Sequence, residues 1–319
     1  KYVIGSGDHS RGYIGARGNR LVRLPMTWFI QKKAWGFSPG YEGRAAPRFS
    51  GEVEAECLFC HNSLTPAVNR NRSRFSVPIK QGIGCERCHG DAASHIRAHR
   101  SGKGVASGQP DPTILNPRRV GPEKESEICD QCHLHVTTRV LRDGKYWDSY
   151  DPGSPLDEYL TPYVSSASTT FTSTGYAGRM GLSACAKASK TAPRCSDCHN
   201  PHTGDTVLAQ RTACQRCHGD KKGTVGAVAQ ACTAAEGQAV DAPCADCHMA
   251  RSGGDDLPHV AFTDHYIRVR PKGVMPRTSN RDKPLIAARD FAGPQIAAQI
   301  ALGVAHAVVG LEGGYKVQV

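Results

Sequence analysis

The chain has 319 residues, enough for one large domain or two modest ones. Its 34 Gly and 20 Pro make up about 17 % of the residues, against an average of about 12 %. That excess argues against long regular elements and leaves part of the core to be supplied by something other than side chains. The formal charge is +11 and the pI about 9.1. The arginines are scattered, however, with no basic helix and no aromatic stacking platform, which argues against nucleic-acid binding.

In chain order, residues 1–56 carry a predicted β-hairpin. Its first strand is Tyr13-Ile14-Gly15-Ala16-Arg17, its turn Gly18-Asn19, and its second arm runs from Arg20 to Ile30. Pro25 argues that the second arm is an edge strand, since proline cannot donate to the ladder. Trp28 and Trp35 have two readings, the cover of a flat cofactor or ordinary hydrophobic packing. From residue 57 onward one pattern recurs: Cys57-Leu58-Phe59-Cys60-His61, Cys85-Glu86-Arg87-Cys88-His89, Cys129-Asp130-Gln131-Cys132-His133, Cys195-Ser196-Asp197-Cys198-His199, Cys214-Gln215-Arg216-Cys217-His218 and Cys244-Ala245-Asp246-Cys247-His248. Irregular spacing rules out a solenoid repeat. The wide gap after His133 holds Tyr146, Trp147, Tyr150 and Tyr159, then a Ser/Thr-rich stretch, residues 165–173, expected to be an exposed loop. Residues 271–285 form a polar, Pro-containing linker, and residues 286–311 read as an Ala-rich helical tail. The longest apolar run, residues 296–311, is interrupted by Gln299 and His306 and is shorter than the roughly 20 residues that span a bilayer.

The spacing of the pattern has a physical reason. Cysteines at i and i+3 leave one side of a helical turn together, so both thiols can form thioethers with the two vinyl groups on one porphyrin edge. The following His is then placed to ligate the iron. Zinc sites also use C-x-x-C pairs, but they give no reason for a His after every second Cys. A thioredoxin-like motif occurs once, not six times. Six covalent c-type haems are therefore expected, anchored by Cys57/Cys60, Cys85/Cys88, Cys129/Cys132, Cys195/Cys198, Cys214/Cys217 and Cys244/Cys247. The proximal iron ligands are then His61, His89, His133, His199, His218 and His248. At about −1 per ferric haem the net charge falls to about +5, and many Arg and Lys read as partners of haem propionates. Cys185 and Cys232 lie outside the motifs, either as a disulfide or as two separate thiols.

Eight histidines lie outside the motifs, so six haems can each find a second axial His within the chain. His202 follows a motif across Asn200-Pro201, a rigid corner that turns it toward a neighbouring haem rather than its own. His95 follows the second motif closely, with His99 one helical turn later. His259 and His265 flank Val260-Ala261-Phe262. His9 lies in a Gly-rich loop. These six are the distal candidates; His135, His306, Met180 and Met249 are weaker ones.

Several runs together resemble a family. They are Gly84-Cys85-Glu86-Arg87-Cys88-His89-Gly90 with His95, Met180-Gly181-Leu182-Ser183-Ala184-Cys185, Cys198-His199-Asn200-Pro201-His202, and Cys244 to Met249 followed by Pro258-His259-Val260-Ala261-Phe262-Thr263-Asp264-His265. Upstream, Tyr2-Val3-Ile4-Gly5-Ser6-Gly7, Leu24-Pro25 with Trp28, and Ser38-Pro39-Gly40-Tyr41 fit as well. The chain is similar, over roughly residues 2–270, to periplasmic multihaem c-type cytochromes related to the tetrahaem cytochrome of ammonia oxidisers, a group often fused to tetratricopeptide repeats. The resemblance implies closely stacked haems and aligns His9, His95, His202, His259 and His265 with positions rich in distal ligands. It departs in the short Ala-rich tail, where relatives often continue into helical repeats. It departs also at Lys1, ahead of which relatives often carry a further haem segment. A removed leader, or a sequence that is part of a longer one, are the two expected accounts of that start.

The expected fold is mostly irregular, with short α-helices around the haem motifs and a small N-terminal β-hairpin. Its parts are a cover segment (1–56), a hexahaem domain (57–270) and a C-terminal linker and tail (271–319). The expected function is electron transfer outside the cytoplasmic membrane, in the periplasm or the extracellular space, with redox proteins or like subunits as partners. Two alternatives stay open: a subunit of a polymerised cytochrome wire, and an oxidoreductase of small nitrogen compounds with one open haem.

Overall fold

The computed structural model describes residues 1–5, 7–43, 47–63, 67, 68, 73–165, 172–189, 193–203, 207–218, 243–254, 256, 257, 259–269, 285–287, 302, 304, 305 and 307. The N-terminal segment forms five strands: β1 (Tyr2–Ile4), β2 (Ser10–Arg17), β3 (Arg20–Arg23), β4 (Met26–Phe29) and β5 (Ala34–Phe37). They make one antiparallel sheet in the order β1-β2-β4-β5, with β3 also on β2. The hairpin turns at Gly18, whose φ of 60° favours glycine, and pairs Arg17 with Arg20. The run expected as one second arm is two strands, because Pro25 interrupts it between β3 and β4. Trp28 pairs with Trp35 across β4 and β5, and their rings meet edge to face at 5.5 Å. Beneath this sheet Ile14, Leu21, Val53, Leu58 and Phe75 form one buried cluster.

Short helices follow: α1 (Ala55–His61), α2 (Glu86–His89), α3 (Ala93–Arg100), α4 (Pro122–His133), α5 (Tyr176–Gly181), α6 (Ala184–Ala188), α7 (Cys195–Cys198), α8 (Val207–His218) and α9 (Cys244–His248). Every haem motif lies on one of these, with its second Cys and its His at or just past the helix end. The fold is mostly irregular, as the Gly and Pro content implied.

Two features were not legible beforehand. The gap after His133 contains β6 (Thr138–Leu141) and β7 (Leu160–Ser165), which pair antiparallel, with Leu141 opposite Leu160. The aromatics Tyr150 and Tyr159 are buried there with Phe59, Leu156 and Leu160. Part of the C-terminal tail also returns to this sheet. β10 (Leu285–Ala287) pairs with β7, and Leu302 and Ala305 pack on Tyr163 and Val140. The expected helical tail is thus a strand at residues 286 and 287, while residues 302, 304, 305 and 307 are helical. A last hairpin, β8 (Arg251–Gly253) with β9 (Ala261–Thr263), follows the sixth motif. Most of the Ser/Thr-rich stretch lies outside the described residues. No helix among the described residues is long and apolar enough to cross a membrane.

Candidate haem sites

Each motif presents two faces. None of the twelve motif cysteines and none of the six motif histidines is fully buried. In the first three motifs the residues between the cysteines are largely taken up by the protein core, whereas Arg216 and Asp246 of the fifth and sixth are exposed. Leu58, Phe59, Arg87, Asp130 and Gln131 are all buried. Arg87 donates from Nη2 to the Phe59 carbonyl, and its guanidinium lies over the Phe59 ring, 4.4 Å from the centroid. Gln131 donates to the Arg87 carbonyl at 2.9 Å. Motifs one, two and three are thereby joined through residues the motif leaves free. The fourth motif is held the same way. Ser196 N–H and hydroxyl both donate to Glu125 on α4, Arg194 pairs with the same carboxylate at 3.1 Å, and Asp197 pairs with Arg118 at 2.7 Å. A helix turn whose inner face packs on protein and whose Cys-Cys-His face is left open fits covalent attachment of a porphyrin plane.

The axial nitrogens fit as well. His89 Nδ1 donates to the Leu115 carbonyl at 2.7 Å, and His248 Nδ1 to the Arg268 carbonyl at 2.9 Å. Such bonds fix the ring and direct Nε2 toward a metal. His202 faces His89, with ring centroids 5.9 Å apart and planes within 12°. His265 faces His199 at 5.9 Å and 23°. One metal between two imidazoles, with bonds of about 2 Å, sets ring centres about 6 Å apart. Both pairs therefore have the spacing of axial ligands on a shared iron.

Buried charge holds the second pair in place. Asp264, 2 % exposed, takes a two-pronged bond from Arg179 on α5, at 2.8 and 2.6 Å. Burial pushes the Asp264 carboxyl up, but these bonds and the Tyr266 N–H outweigh it, leaving the group below the usual carboxylate range. Burial also lowers His265, and burial is the main cause of the lowering at His133. Tyr176 stands between these two rings, 5.6 Å from His133 and 4.5 Å from His265. Its hydroxyl is pushed up to about 12 by burial and then by Asp256, so it stays neutral.

The other expected ligands fall into different settings. His9 lies edge-on to Phe262 at 4.7 Å, and its Nδ1 is 3.2 Å from Gln31 Nε2. Gln31 also exchanges two hydrogen bonds with the backbone of Ala261, which docks the N-terminal sheet on β9. His259, at a φ of 65°, receives Lys32 Nζ on Nδ1 at 2.6 Å and packs on Phe29. His95 and His99 come together on Asp111. His135 Nδ1 is bonded to the Thr172 hydroxyl at 3.0 Å. Met180 is on α5 and Met249 caps α9. His306 and Cys232 lie outside the described residues, and Cys185 is a half-exposed free thiol on α6. The sequence reading missed the braces Glu125, Asp264, Asp111 and Arg87.

The motif helices also touch in a definite order: α1 on α4, α4 on α7, α7 on α8, and α8 on α9. The thiols repeat it, with Cys60 against Cys132, Cys129 against Cys195, and Cys214 against Cys244.

Several known proteins are similar to parts of this chain. The family "Cytochrome c554 and c-prime" matches residues 42–90, which hold the first two motifs. The multiheme cytochrome MtrA of Shewanella baltica (strain OS185) is 24 % identical over 198 residues, 56 % of each chain. The chain thus spans about half the length of that curated relative. Among solved structures, the outer cell wall cytochrome OcwA is 18 % identical with a TM-score of 0.46, covering 82 % of this chain and 65 % of its own. The undecaheme cytochrome from the S-layer of Carboxydothermus ferrireducens is also 18 % identical, with a TM-score of 0.38, covering 84 % and 44 %. The motifs and their open Cys-Cys-His faces are what a multihaem c-type cytochrome requires. Within that class, the segment around the first two motifs is similar to the cytochrome c554 and c-prime family.

Proposed function

We propose that the protein carries electrons along six covalently attached haems. His61, His89, His133, His199, His218 and His248 are the proximal ligands, and the twelve motif cysteines are the anchors. His202 and His265 complete the axial sets of His89 and His199. His9, His95 and His259 serve as distal ligands to other haems. His99 is a weaker claimant, since its Nε2 is engaged by Asp111. The observation that carries this reading is the row α1-α4-α7-α8-α9, which brings anchoring residues of successive motifs side by side. The second motif stands beside the row, tied to it by Arg87 and Gln131. Each bound haem supplies one-electron Fe(III)/Fe(II) chemistry, and the protein sets its potential through ligand, hydrogen bonding and burial. Tunnelling falls steeply with distance, so side-by-side attachment is the requirement for transfer.

On this reading the protein works outside the cytoplasmic membrane, in the periplasm or beyond it, where haem is attached to thiols. It is akin to the tetrahaem carrier of ammonia oxidisers, and its partners are redox proteins or further copies in a haem chain. The row gives the test. Cys195→Ser with Cys198→Ser removes the haem in the middle of the row, and Cys85→Ser with Cys88→Ser removes the one beside it. In stopped-flow reduction, the first variant should show a split population, with part of its haems reduced far more slowly. The second should keep rapid equilibration among the remaining five. Equal behaviour of the two would refute the row.

A further inference from the structure

His95 differs from the other expected ligands in the partner of its Nδ1. His89, His248 and His265 rest that nitrogen on the neutral carbonyls of Leu115, Arg268 and Thr263. His95 rests it on a carboxylate, Asp111 Oδ2, at 3.0 Å. That carboxylate is itself fixed. Its Oδ1 accepts the Thr113 N–H at 2.8 Å and the Thr113 hydroxyl, and its Oδ2 also meets His99 Nε2 at 2.9 Å. The Asp111 side chain is 14 % exposed, so solvent screens the bond only in part. The two histidines, one turn apart on α3, use opposite nitrogens. His99 engages Nε2, and its Nδ1 side lies against Gly104, where a Cβ would approach to 2.4 Å. His95 engages Nδ1 and leaves Nε2 available.

We infer that Asp111 is a positioning residue that holds His95 as its Nδ1–H tautomer and makes Nε2 an electron-rich axial donor, lowering the reduction potential of the haem that His95 serves. The inference rests on the distal-ligand reading of His95. The physical reason is that an anionic acceptor draws the Nδ1 proton more strongly than a carbonyl does. The basicity of Nε2 rises, and ferric iron is favoured. His99 acts on the same oxygen and takes part of its accepting capacity.

The test is a potentiometric titration of the holoprotein, with paramagnetic resonance to count low-spin and high-spin irons. Asp111→Asn should leave every haem low-spin and move one potential upward, the others staying in place. His99→Ala, at an exposed position, should move that same potential downward. His95→Ala should turn one haem high-spin. If His95→Ala produces no new high-spin signal, the ligand reading fails and the inference with it. If it does, but neither Asp111→Asn nor His99→Ala moves a potential, the role of Asp111 alone is overturned. Binding of added Zn²⁺ that Asp111→Asn abolishes, with all potentials unmoved, would also overturn it, and would assign the cluster to a divalent cation.

Discussion

Asp264→Asn is the substitution that most directly links fold stability to the iron ligands. The side chain keeps its size, and the amide still accepts the Tyr266 N–H. What is lost is the charge that faces Arg179 Nε and Nη2 at 2.8 and 2.6 Å and Arg268 at 3.4 Å. Removing one partner of a buried pair costs about 3–5 kcal/mol, because the other charge stays buried without it. The Arg179 and Arg268 side chains keep 14 % and 20 % exposure and can relax toward water, which places the cost near about 3 kcal/mol. For a chain this long each kcal/mol lowers the Tm by about 2 °C, so a fall of about 6 °C is expected. Asp264 also precedes His265, so the loss should loosen the ring that faces His199 and raise a partial high-spin signal from one haem. Calorimetry and paramagnetic resonance on the same sample read both effects. Asp264→Asn combined with Arg179→Met should recover much of the lost stability, since the stranded charge is gone. A Tm within about 1 °C of the parent and an unchanged spin state would refute the assigned role of this pair.

Three further outcomes follow from the same geometry. His202→Ala should leave His89 as the sole axial imidazole of its iron, giving one high-spin haem while the other five stay low-spin; a fully low-spin spectrum would exclude the pairing. Gln31→Ala removes two hydrogen bonds to Ala261 and should cost about 1–2 kcal/mol in denaturant unfolding. It should also increase proteolytic cleavage of the N-terminal segment. Leu21→Ala opens the cluster beneath the first sheet, where Leu21 is fully buried, and should cost about 3–5 kcal/mol.

Much of the site was legible because attachment chemistry is local. Two thiols and an imidazole must share one helical turn, and that constraint is written in five consecutive residues. The Asn200-Pro201 corner likewise pointed His202 away from its own motif, and its ring faces His89 of the second motif. Other features escaped because they depend on pairings distant in sequence. Nothing around Leu160 announces that its strand will lie against both Thr138–Leu141 and Leu285–Ala287. Nothing in the sequence pairs Tyr150 and Tyr159 with Phe59 either, for the same reason. His95 and His99 lie one turn apart on the same helix, and in sequence only nearness to the second motif and the family resemblance favoured His95. The position of Asp111, and which ring nitrogen each offers to it, separates them. The spare positions within each motif looked arbitrary, yet Arg87, Gln131, Ser196 and Asp197 carry the contacts that set the motifs beside one another.

The most direct test of the account is the intact mass of the mature holoprotein after denaturation, when only covalently attached groups remain. The account predicts six haem additions on one chain, with each motif peptide carrying one haem after digestion. Fewer than six, or any motif recovered with free thiols from fully matured protein, would contradict it.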